Sequence, residues 1–318
     1  MGTEKDTGKT TGKEAGFHYH VVRSLGEGAF AQVYLVEDGH GRQYACKVSR
    51  AIKMLRKEAE MLSRLYHPLF PAYLGYEESE GTGRLFMEYI PGRSLGQLAR
   101  RRGGISATQA LKIAEELADG MRYLHERQPP ILYRDLKPDN IMVCENGHVK
   151  VIDLGCACYL DEQGGERVGT PGFAPPEQLS AGQTAGICSD VYGLGRTMQS
   201  VMGTCRRRTG MAAGAGSDAG SAFPNGGERH HGGIGIWHRR GRRCCDGERK
   251  RRSAERRCRR RLEHMIEEST REDFRQRPQD MISVSDILTG KRKREEGIVC
   301  EKSIWESSYK NSCSLPPV

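Results

Sequence analysis

The chain has 318 residues, of which 36% are hydrophobic, and its 50 Lys and Arg outnumber its 41 Asp and Glu to give a formal net charge of +9. This length and apolar content are typical of a soluble globular protein with one large two-lobed domain or two ordinary ones. The N-terminal sequence is polar and the chain has no run of eighteen apolar residues, so we expect neither export nor a membrane span, and a cytoplasmic location. The eleven cysteines include no Cys-x-x-Cys pair, which favours reduced thiols over a disulfide framework or a zinc site.

The positive charge is concentrated in one segment. Residues 206–261 contain seventeen Arg and Lys against five acids, a net +12, so the remaining residues sum to −3. Such a segment would attract nucleic acid through phosphate charge alone. It has no aromatic interleaving beyond Trp237 and no recognised nucleic-acid module, so we expect no specific nucleic-acid partner.

The first third of the chain has the pattern of strands with one helix. Residues 1–17 are polar and predict a disordered tail. Residues 21–49 alternate apolar and polar side chains around two glycine turns, which predicts three antiparallel strands. A helix ended by Pro68 follows, because apolar side chains recur at three and four residues: Ile52, Leu55, Ala59, Leu62 and Leu65. The apolar run 85–90 predicts a further strand.

The remainder of the chain has helical periodicity. Ser106 followed by Gln109 predicts the start of a helix that continues through Leu124. After Val201 the composition changes to Gly, Ala and Arg, and helical spacing returns only at residues 262–288. We therefore expect residues 206–261 to be disordered or marginally helical and residues 291–318 to be a polar tail. Strands first and helices afterwards predict two lobes.

Residues 133–140, Tyr-Arg-Asp-Leu-Lys-Pro-Asp-Asn, combine the side chains that phosphoryl transfer from a nucleotide requires. Asp135 can orient the attacking hydroxyl, and Lys137 can stabilise charge on the transferred group. Asn140, and Asp153 at the end of a predicted strand, offer the oxygen ligands that Mg²⁺ prefers. Asp and Asn are also common turn residues, so the inference depends on the combination and not on any one of them.

At these residues the chain resembles the protein kinase family, and the resemblance continues in the family's order. Residues 26–33 look like the glycine-rich loop, with Ala31 where a third glycine would lie, and Tyr44-Ala45-Cys46-Lys47 looks like the strand that carries the phosphate-binding lysine. The resemblance implies that Glu58 pairs with Lys47. It also implies ATP contacts by Gly26, Glu27, Gly28, Ala29, Phe30, Val33, Ala45, Lys47, Met87, Glu88, Ile90 and Met142, with Met87 as gatekeeper and 88–90 as hinge.

The resemblance also extends toward the C-terminus. Residues 169–177 look like the substrate-docking segment, in which Thr170 contacts the catalytic aspartate and Glu177 pairs with Arg277. Asp190 is expected to hold the backbone of the catalytic loop. Tyr133 replaces the usual histidine and Leu154 the usual phenylalanine, and both preserve an apolar packing role.

This resemblance implies an α+β, two-lobe kinase fold with a small antiparallel-sheet N-lobe and a larger, mainly helical C-lobe. We place the N-lobe and hinge at 18–90 and the C-lobe at 91–205 and 262–290. The Asp-Leu-Lys-Pro sequence is that of Ser/Thr kinases, and the short loops look closest to compact bacterial ones. The expected activity is transfer of the γ-phosphoryl group of Mg-ATP to Ser or Thr hydroxyls of a protein substrate. The substrate, the activating signal and the oligomeric state stay open.

Three alternatives remain at the level of sequence. A pseudokinase scaffold is one, because the 87 positions from Asp190 to Arg277 exceed the family's usual spacing and lack obvious apolar helices. A non-specific nucleic-acid binder is another. The third is that part of residues 206–261 is an off-frame segment that replaces helices of the C-lobe. We also expect little control by phosphorylation of residues 153–177, where Tyr159 and Thr170 are the hydroxyl residues.

Overall fold

The structure is a computed structural model that describes residues 18–28, 30–162, 167–180, 185–202 and 240–291, with side chains from residue 247 onward in the last range. The predicted tails, Ala29 and the first part of the 206–261 segment lie outside the described residues, apart from Lys291. No helix in the described ranges combines the length and the apolar content that crossing a membrane requires.

The first lobe is a five-stranded antiparallel sheet with one helix. Its strands have the order β1-β2-β3-β5-β4, where β1 is Tyr19–Glu27, β2 is Gln32–Asp38, β3 is Gln43–Ser49, β4 is Tyr73–Ser79 and β5 is Thr82–Glu88. Helix α1 (Ile52–Ser63) buries Leu55, Ala59 and Leu62 against β4 and β5, on the face that the sequence spacing predicts. The three predicted strands between residues 21 and 49 are therefore present, and β4 is additional.

The second lobe is mainly helical. In the described residues it consists of two small sheets, five helices of eight or more residues and the short helix α4: β6 (Arg93–Ser94), α2 (Leu95–Arg102), α3 (Ala107–His125), β7 (Ile131–Leu132), β8 (Ile141–Val143), β9 (Val149–Val151), β10 (Cys158–Tyr159), α4 (Pro176–Leu179), α5 (Ile187–Val201), α6 (Arg240–Ser269) and α7 (Met281–Thr289). Strands β6, β8 and β9 form one sheet, and β7 pairs with β10. A 3₁₀ turn, Pro138–Asn140, joins the loop before it to β8. The α+β two-lobe arrangement matches the expected fold class.

Helix α3 is the central element of this lobe. Ser106 caps its N-terminus, accepting a hydrogen bond from the backbone N–H of Gln109 at 3.2 Å as predicted. Leu117, Met121 and Leu124 on its inner face have no exposed surface. Gly120 packs so closely on Leu69 that a methyl group there would overlap the leucine side chain. This close packing holds α3 against the segment between α1 and β4.

Helix α6 differs from the sequence-based expectation. It begins at Arg240 and continues without a break to Ser269, whereas the sequence predicts disorder or marginal helix as far as Arg261. Its inner face, which includes Cys258, Leu262 and Met265, packs into the same core as α3, α5 and α7. The prediction fails because it weighed the Arg content of the outer face above the apolar spacing of the inner one.

Glu255, inside the basic segment, makes a specific contact with α3. Its carboxylate accepts hydrogen bonds from the backbone N–H groups of Ala107 and Thr108, at 2.5 and 3.1 Å, and from the Thr108 hydroxyl at 2.7 Å. These N–H groups lie in the first turn of α3, where the helix itself supplies no acceptor. Residues 247–261 thus take part in the packing of the lobe, which argues against their being an off-frame segment.

Candidate active site

The loop that carries Asp135 is held by a buried aspartate on α5. Asp190 accepts hydrogen bonds from the backbone N–H of Tyr133 at 2.9 Å and of Arg134 at 2.8 Å, and it also contacts His125. Arg134 has φ of 65°, a left-handed conformation that a non-glycine residue adopts only when its surroundings enforce it. Its backbone oxygen accepts from Gln178 at 2.6 Å. The loop backbone is therefore fixed from two sides.

Four polar side chains converge within this loop and the segment that faces it. The Thr170 hydroxyl donates to Asp135 Oδ1 at 2.6 Å, and Lys137 Nζ lies 2.7 Å from Asp135 Oδ2 and 2.8 Å from Thr170 Oγ1. Asn140 Nδ2 donates to Asp135 Oδ2 at 3.1 Å and to its backbone oxygen at 3.0 Å. Asp135 thus has a carboxylate that accepts a hydroxyl hydrogen bond beside a fixed positive charge.

A second group of charges spans the two lobes. Lys47 Nζ on β3 lies 2.8 and 2.7 Å from the two carboxylate oxygens of Glu58 on α1, and 2.9 Å from Asp153 Oδ1 after β9. The Asp153 oxygen also accepts from the Gly155 N–H at 2.9 Å. Burial would lower the pKa of Lys47, but the two carboxylates outweigh it and raise the pKa, so the lysine stays charged.

Asp153 remains ionised for the complementary reason. Burial acts to raise its pKa, but the charge and hydrogen bond of Lys47, with the Gly155 N–H, outweigh burial and hold the pKa below its ordinary value. Its side chain is 43% exposed, against 6% for Glu58. The Asp153 carboxylate is thus the one of this pair that faces open space.

The glycine loop and the strands below it form the first-lobe side of the cleft. The Gly28 N–H donates to the Ala31 oxygen at 2.8 Å, which closes a tight turn between β1 and β2 and leaves Phe30 70% exposed. Across the sheet Val33 pairs with Lys47, and Ala45 with Met87. These side chains lie on adjacent strands beneath the turn. Gly26 and Glu27 are the final two residues of β1.

The segment that joins the lobes is anchored through Glu88. Its carboxylate accepts from the Ala72 N–H at 3.0 Å and from Lys150 Nζ at 2.8 Å, and its own N–H donates to the Ala72 oxygen at 2.9 Å. Ile90 is buried, and Met142 on β8 is half-buried. The connection between the lobes is therefore braced by the Ala72 backbone of the first lobe and the Lys150 side chain of the second.

A buried ion pair links α4 to the turn before α7. Arg277 Nη1 lies 2.5 Å from Glu177 Oε1, both side chains are nearly inaccessible, and the Ser189 hydroxyl donates to the same carboxylate at 3.2 Å. The Arg277 guanidinium also stacks on the Tyr192 ring at 4.8 Å from its centroid. The pair that the sequence predicts across the basic segment is thus present in the structure.

The family model described as protein kinase domain matches residues 19–207. This chain belongs to the protein kinase family. It is 33% identical over 180 residues to cAMP-dependent protein kinase type 3 of Saccharomyces cerevisiae, covering 54% of this chain and 45% of that protein. It is 32% identical over 197 residues to Serine/threonine-protein kinase PrkC of Bacillus subtilis, covering 58% and 30%. Over 198 residues it is 31% identical to Probable serine/threonine-protein kinase PknB of Lactococcus lactis, covering 58% and 31%.

These matches cover only part of each protein. The chain spans less than half the length of these three relatives, two bacterial and one eukaryotic, at similar identity. The family match ends before α6, so the kinase family relation rests on the first lobe and the second lobe as far as α5. Helix α6 and the turn that contains Arg277 complete the second lobe in the structure, but they lie outside the residues that the family model matches.

The two metal-ligand candidates have suitable chemistry for Mg²⁺. Asn140 uses its amide nitrogen for Asp135, which leaves its amide oxygen as a ligand, and Asp153 contributes a carboxylate. Among the described residues no group of three His, Cys, Asp or Glu side chains could hold a metal ion. A hard cation here would therefore need phosphate oxygens and water to complete its coordination, as Mg²⁺ in nucleotide sites commonly does.

Two side chains that support the site were not predicted from the sequence. Gln178 donates to both the Arg134 and the Val168 oxygens at 2.6 Å, and Thr197 donates to the Leu136 oxygen at 2.9 Å. Both reach the loop from distant positions on α4 and α5. Neither residue type has a local spacing that would reveal such a contact in one sequence.

Proposed function

We propose that this chain is a protein serine/threonine kinase that transfers the γ-phosphoryl group of ATP to a Ser or Thr hydroxyl of a protein substrate. The observation that carries the proposal is the contact of Asp135 with a hydroxyl and a lysine at once. Thr170 donates to Asp135 Oδ1 at 2.6 Å while Lys137 contacts both groups. A substrate hydroxyl would have the same hydrogen-bonding chemistry as Thr170.

In the proposed reaction the substrate oxygen attacks the γ-phosphorus, and the bond from that phosphorus to the ADP oxygen breaks. Asp135 orients the hydroxyl and accepts its proton, and Lys137 stabilises the charge on the transferred group. Lys47, held by Glu58, positions the other phosphates. Bound Mg²⁺, held by Asn140 and Asp153, would neutralise phosphate charge.

The adenine is proposed to lie between the sheet and the second lobe. Ala45, Val33 and Met87 would supply the apolar upper surface and Met142 the lower one, while the backbone of 88–90 would supply hydrogen bonds. Gly26, Gly28 and the backbone to Phe30 would approach the phosphates, since small residues allow backbone N–H groups to come close. Ala29 lies outside the described residues, and its role remains a prediction.

A cytoplasmic location is part of the same proposal. The cysteines of the described residues, including Cys46, Cys158 and Cys188, are free thiols. Free thiols are typical of proteins kept in a reducing compartment. The free thiols therefore support the proposed cytoplasmic location.

The test is incorporation of labelled phosphate from ATP into a mixture of generic acceptor proteins, with and without Mg²⁺. Asp135→Asn should lower the rate by about a hundredfold or more, the usual contribution of a proton acceptor. Asp119→Asn, an exposed change on α3, is the matched control and should leave the rate unchanged. Equal incorporation by the wild type and Asp135→Asn would refute the proposal. Nucleotide binding without any transfer would instead support the pseudokinase alternative.

A further inference from the structure

The surface beside the Asp135 loop contains a basic concavity, which we call the arginine cleft. Arg93, Gln97, Arg100 and Arg101 line an open hollow of about 440 Å³ on β6 and α2. All four residues are exposed. Guanidinium groups match carboxylate and phosphate oxygens with paired N–H donors, so this hollow fits an anionic group.

The charge of the arginine cleft is only partly neutralised. Arg100 lies 3.1 Å from Asp139, and both side chains are more than half exposed. Neither Arg93 nor Arg101 forms an ion pair with an acid among the described residues. The guanidinium groups of Arg93 and Arg101 are therefore available to a ligand. Arg100 can also contribute, although it is paired with Asp139.

Helix α2 is held firmly against the Asp135 loop. Ser94 and Gln97 form a reciprocal cap at its N-terminus, and a methyl group on Gly96 would overlap the Asp139 carboxylate. The Ser94 hydroxyl donates to that carboxylate at 3.4 Å. The arginine cleft is thus fixed relative to Asp139 and does not lie on a mobile surface loop.

The separation between Asp135 and Asp139, which borders the cleft, is comparable with the length of a few residues of extended peptide. Asp139 is four residues after Asp135, so their Cα atoms are at most about 14 Å apart, even for a fully extended chain. An extended substrate peptide covers about the same distance in four residues. Asp139 contacts Arg100 of the cleft, so we infer that a residue within about five positions of the acceptor hydroxyl can reach the cleft.

We propose that the arginine cleft selects protein substrates with an acidic or already phosphorylated residue within about five positions of the Ser or Thr acceptor. The inference rests on the proposed kinase activity and specifies its substrate class. A carboxylate and a phosphate ester share the anionic oxygens that Arg93, Arg100 and Arg101 can bind. A basic residue at the same position would be repelled by the same groups.

The test is a peptide series with one Ser acceptor in a neutral background. A single Glu, phosphoserine or Lys is moved from five positions before the acceptor to five positions after it, and kcat/KM is measured for each peptide. We expect the best Glu or phosphoserine peptide to exceed the neutral peptide by about fivefold, the effect of two exposed ion pairs, and the advantage to fall as salt is raised.

The variant Arg93→Gln/Arg101→Gln should bring the ratio of anionic to neutral peptide to within about twofold. Arg102→Gln is the matched control, since Arg102 belongs to the same helix and is exposed but does not line the cleft, and it should keep the wild-type ratio. Equal rates for anionic, neutral and basic peptides would overturn this inference while leaving the kinase activity intact. Absence of transfer to every peptide and to the generic proteins would instead count against the proposed activity itself. Whichever of the Glu and phosphoserine peptides has the larger kcat/KM relative to the neutral peptide identifies the anionic group that the cleft prefers.

Discussion

The contact of Glu255 with α3 offers a direct test of whether the basic segment belongs to the folded lobe. In Glu255→Ala the buried N–H of Ala107 loses its acceptor, and the N–H and hydroxyl of Thr108 lose theirs. One buried donor left without a partner costs about 1–3 kcal/mol. Loss of a carboxylate at a helix N-terminus costs about 0.3–1 kcal/mol more. Together these ranges give about 1–4 kcal/mol, and we take the middle of the range, about 2–3 kcal/mol, as the expected loss.

This destabilisation is measurable by thermal unfolding of the full chain. For a domain of this size, about 2–3 kcal/mol corresponds to a fall in Tm of about 4–12 °C. The matched control is Glu248→Gln on the same helix, since Glu248 is exposed and, within the part of the chain that the structure describes, pairs with Arg252 alone, so the Tm of this variant should equal that of the wild type. If Glu255→Ala also unfolds at the wild-type temperature, residues 247–261 do not pack as described and the off-frame alternative regains support.

The same contact has a pH dependence with a definite sign. Burial acts to raise the pKa of Glu255, but hydrogen bonds from Thr108 and Ala107, together with Arg259, outweigh it and hold the pKa below the ordinary value of 4.5. A depressed pKa in the folded state contributes stability above the unfolded value that is lost as the pH falls through the folded value. The Tm difference between the wild type and Glu255→Gln should therefore be present at pH 7 and diminish below about pH 4.5. A difference that grows on acidification would contradict this reasoning.

Three further predictions concern the site, the buried ion pair and residues 153–177. Lys47→Met should lower kcat/KM for phosphoryl transfer by about a hundredfold or more, because the phosphates lose their positioning; an unchanged rate would contradict the assigned role. Arg277→Met should destabilise the protein by about 3–5 kcal/mol in urea unfolding, since it leaves Glu177 buried and unpaired; a loss below about 1 kcal/mol would show that the pair is not buried in solution. Phosphatase treatment should leave activity unchanged, because Thr170 is already bonded to the Asp135 carboxylate; stoichiometric phosphate on Thr170 or Tyr159 whose removal abolishes activity would overturn this.

Much of the first lobe could be predicted from the sequence because its elements have strong local patterns. The helix with Leu55, Ala59 and Leu62 on one face lies where the spacing predicts. In the second lobe, Ser106 likewise caps α3 as expected. Strand β4, Tyr-Leu-Gly-Tyr-Glu-Glu-Ser, has no clear alternation and a glycine in its interior, so it was not predicted. It exists because β5 offers it a partner, which is tertiary information.

Helix α2 was missed for a different reason. Its sequence, Leu-Gly-Gln-Leu-Ala-Arg-Arg-Arg, has few apolar residues, although Ser94 and Gln97 have the spacing of a helix cap. The contacts of the site likewise divide into those that the sequence predicts and those that it does not. Lys47 with Glu58 follows from the family resemblance, whereas the hydrogen bonds of Gln178 to the loop depend on how α4 packs and have no local signal.

The basic segment shows how composition can mask a helix. From Ala254 the inner positions continue through Cys258, Leu262, Met265 and Ser269, spaced by three or four residues, and these are half-buried or buried in the structure. As far as Arg261 the positions between them are mainly arginine, and beyond it they are mainly Glu and His, on the face that stays largely in water. High net charge is therefore compatible with a packed helix so long as the charges share one face, since only the other face must leave water. The charge of residues 247–261 therefore describes surface chemistry, and the spacing of the few apolar residues determines whether the second lobe can close around Glu177 and Arg277.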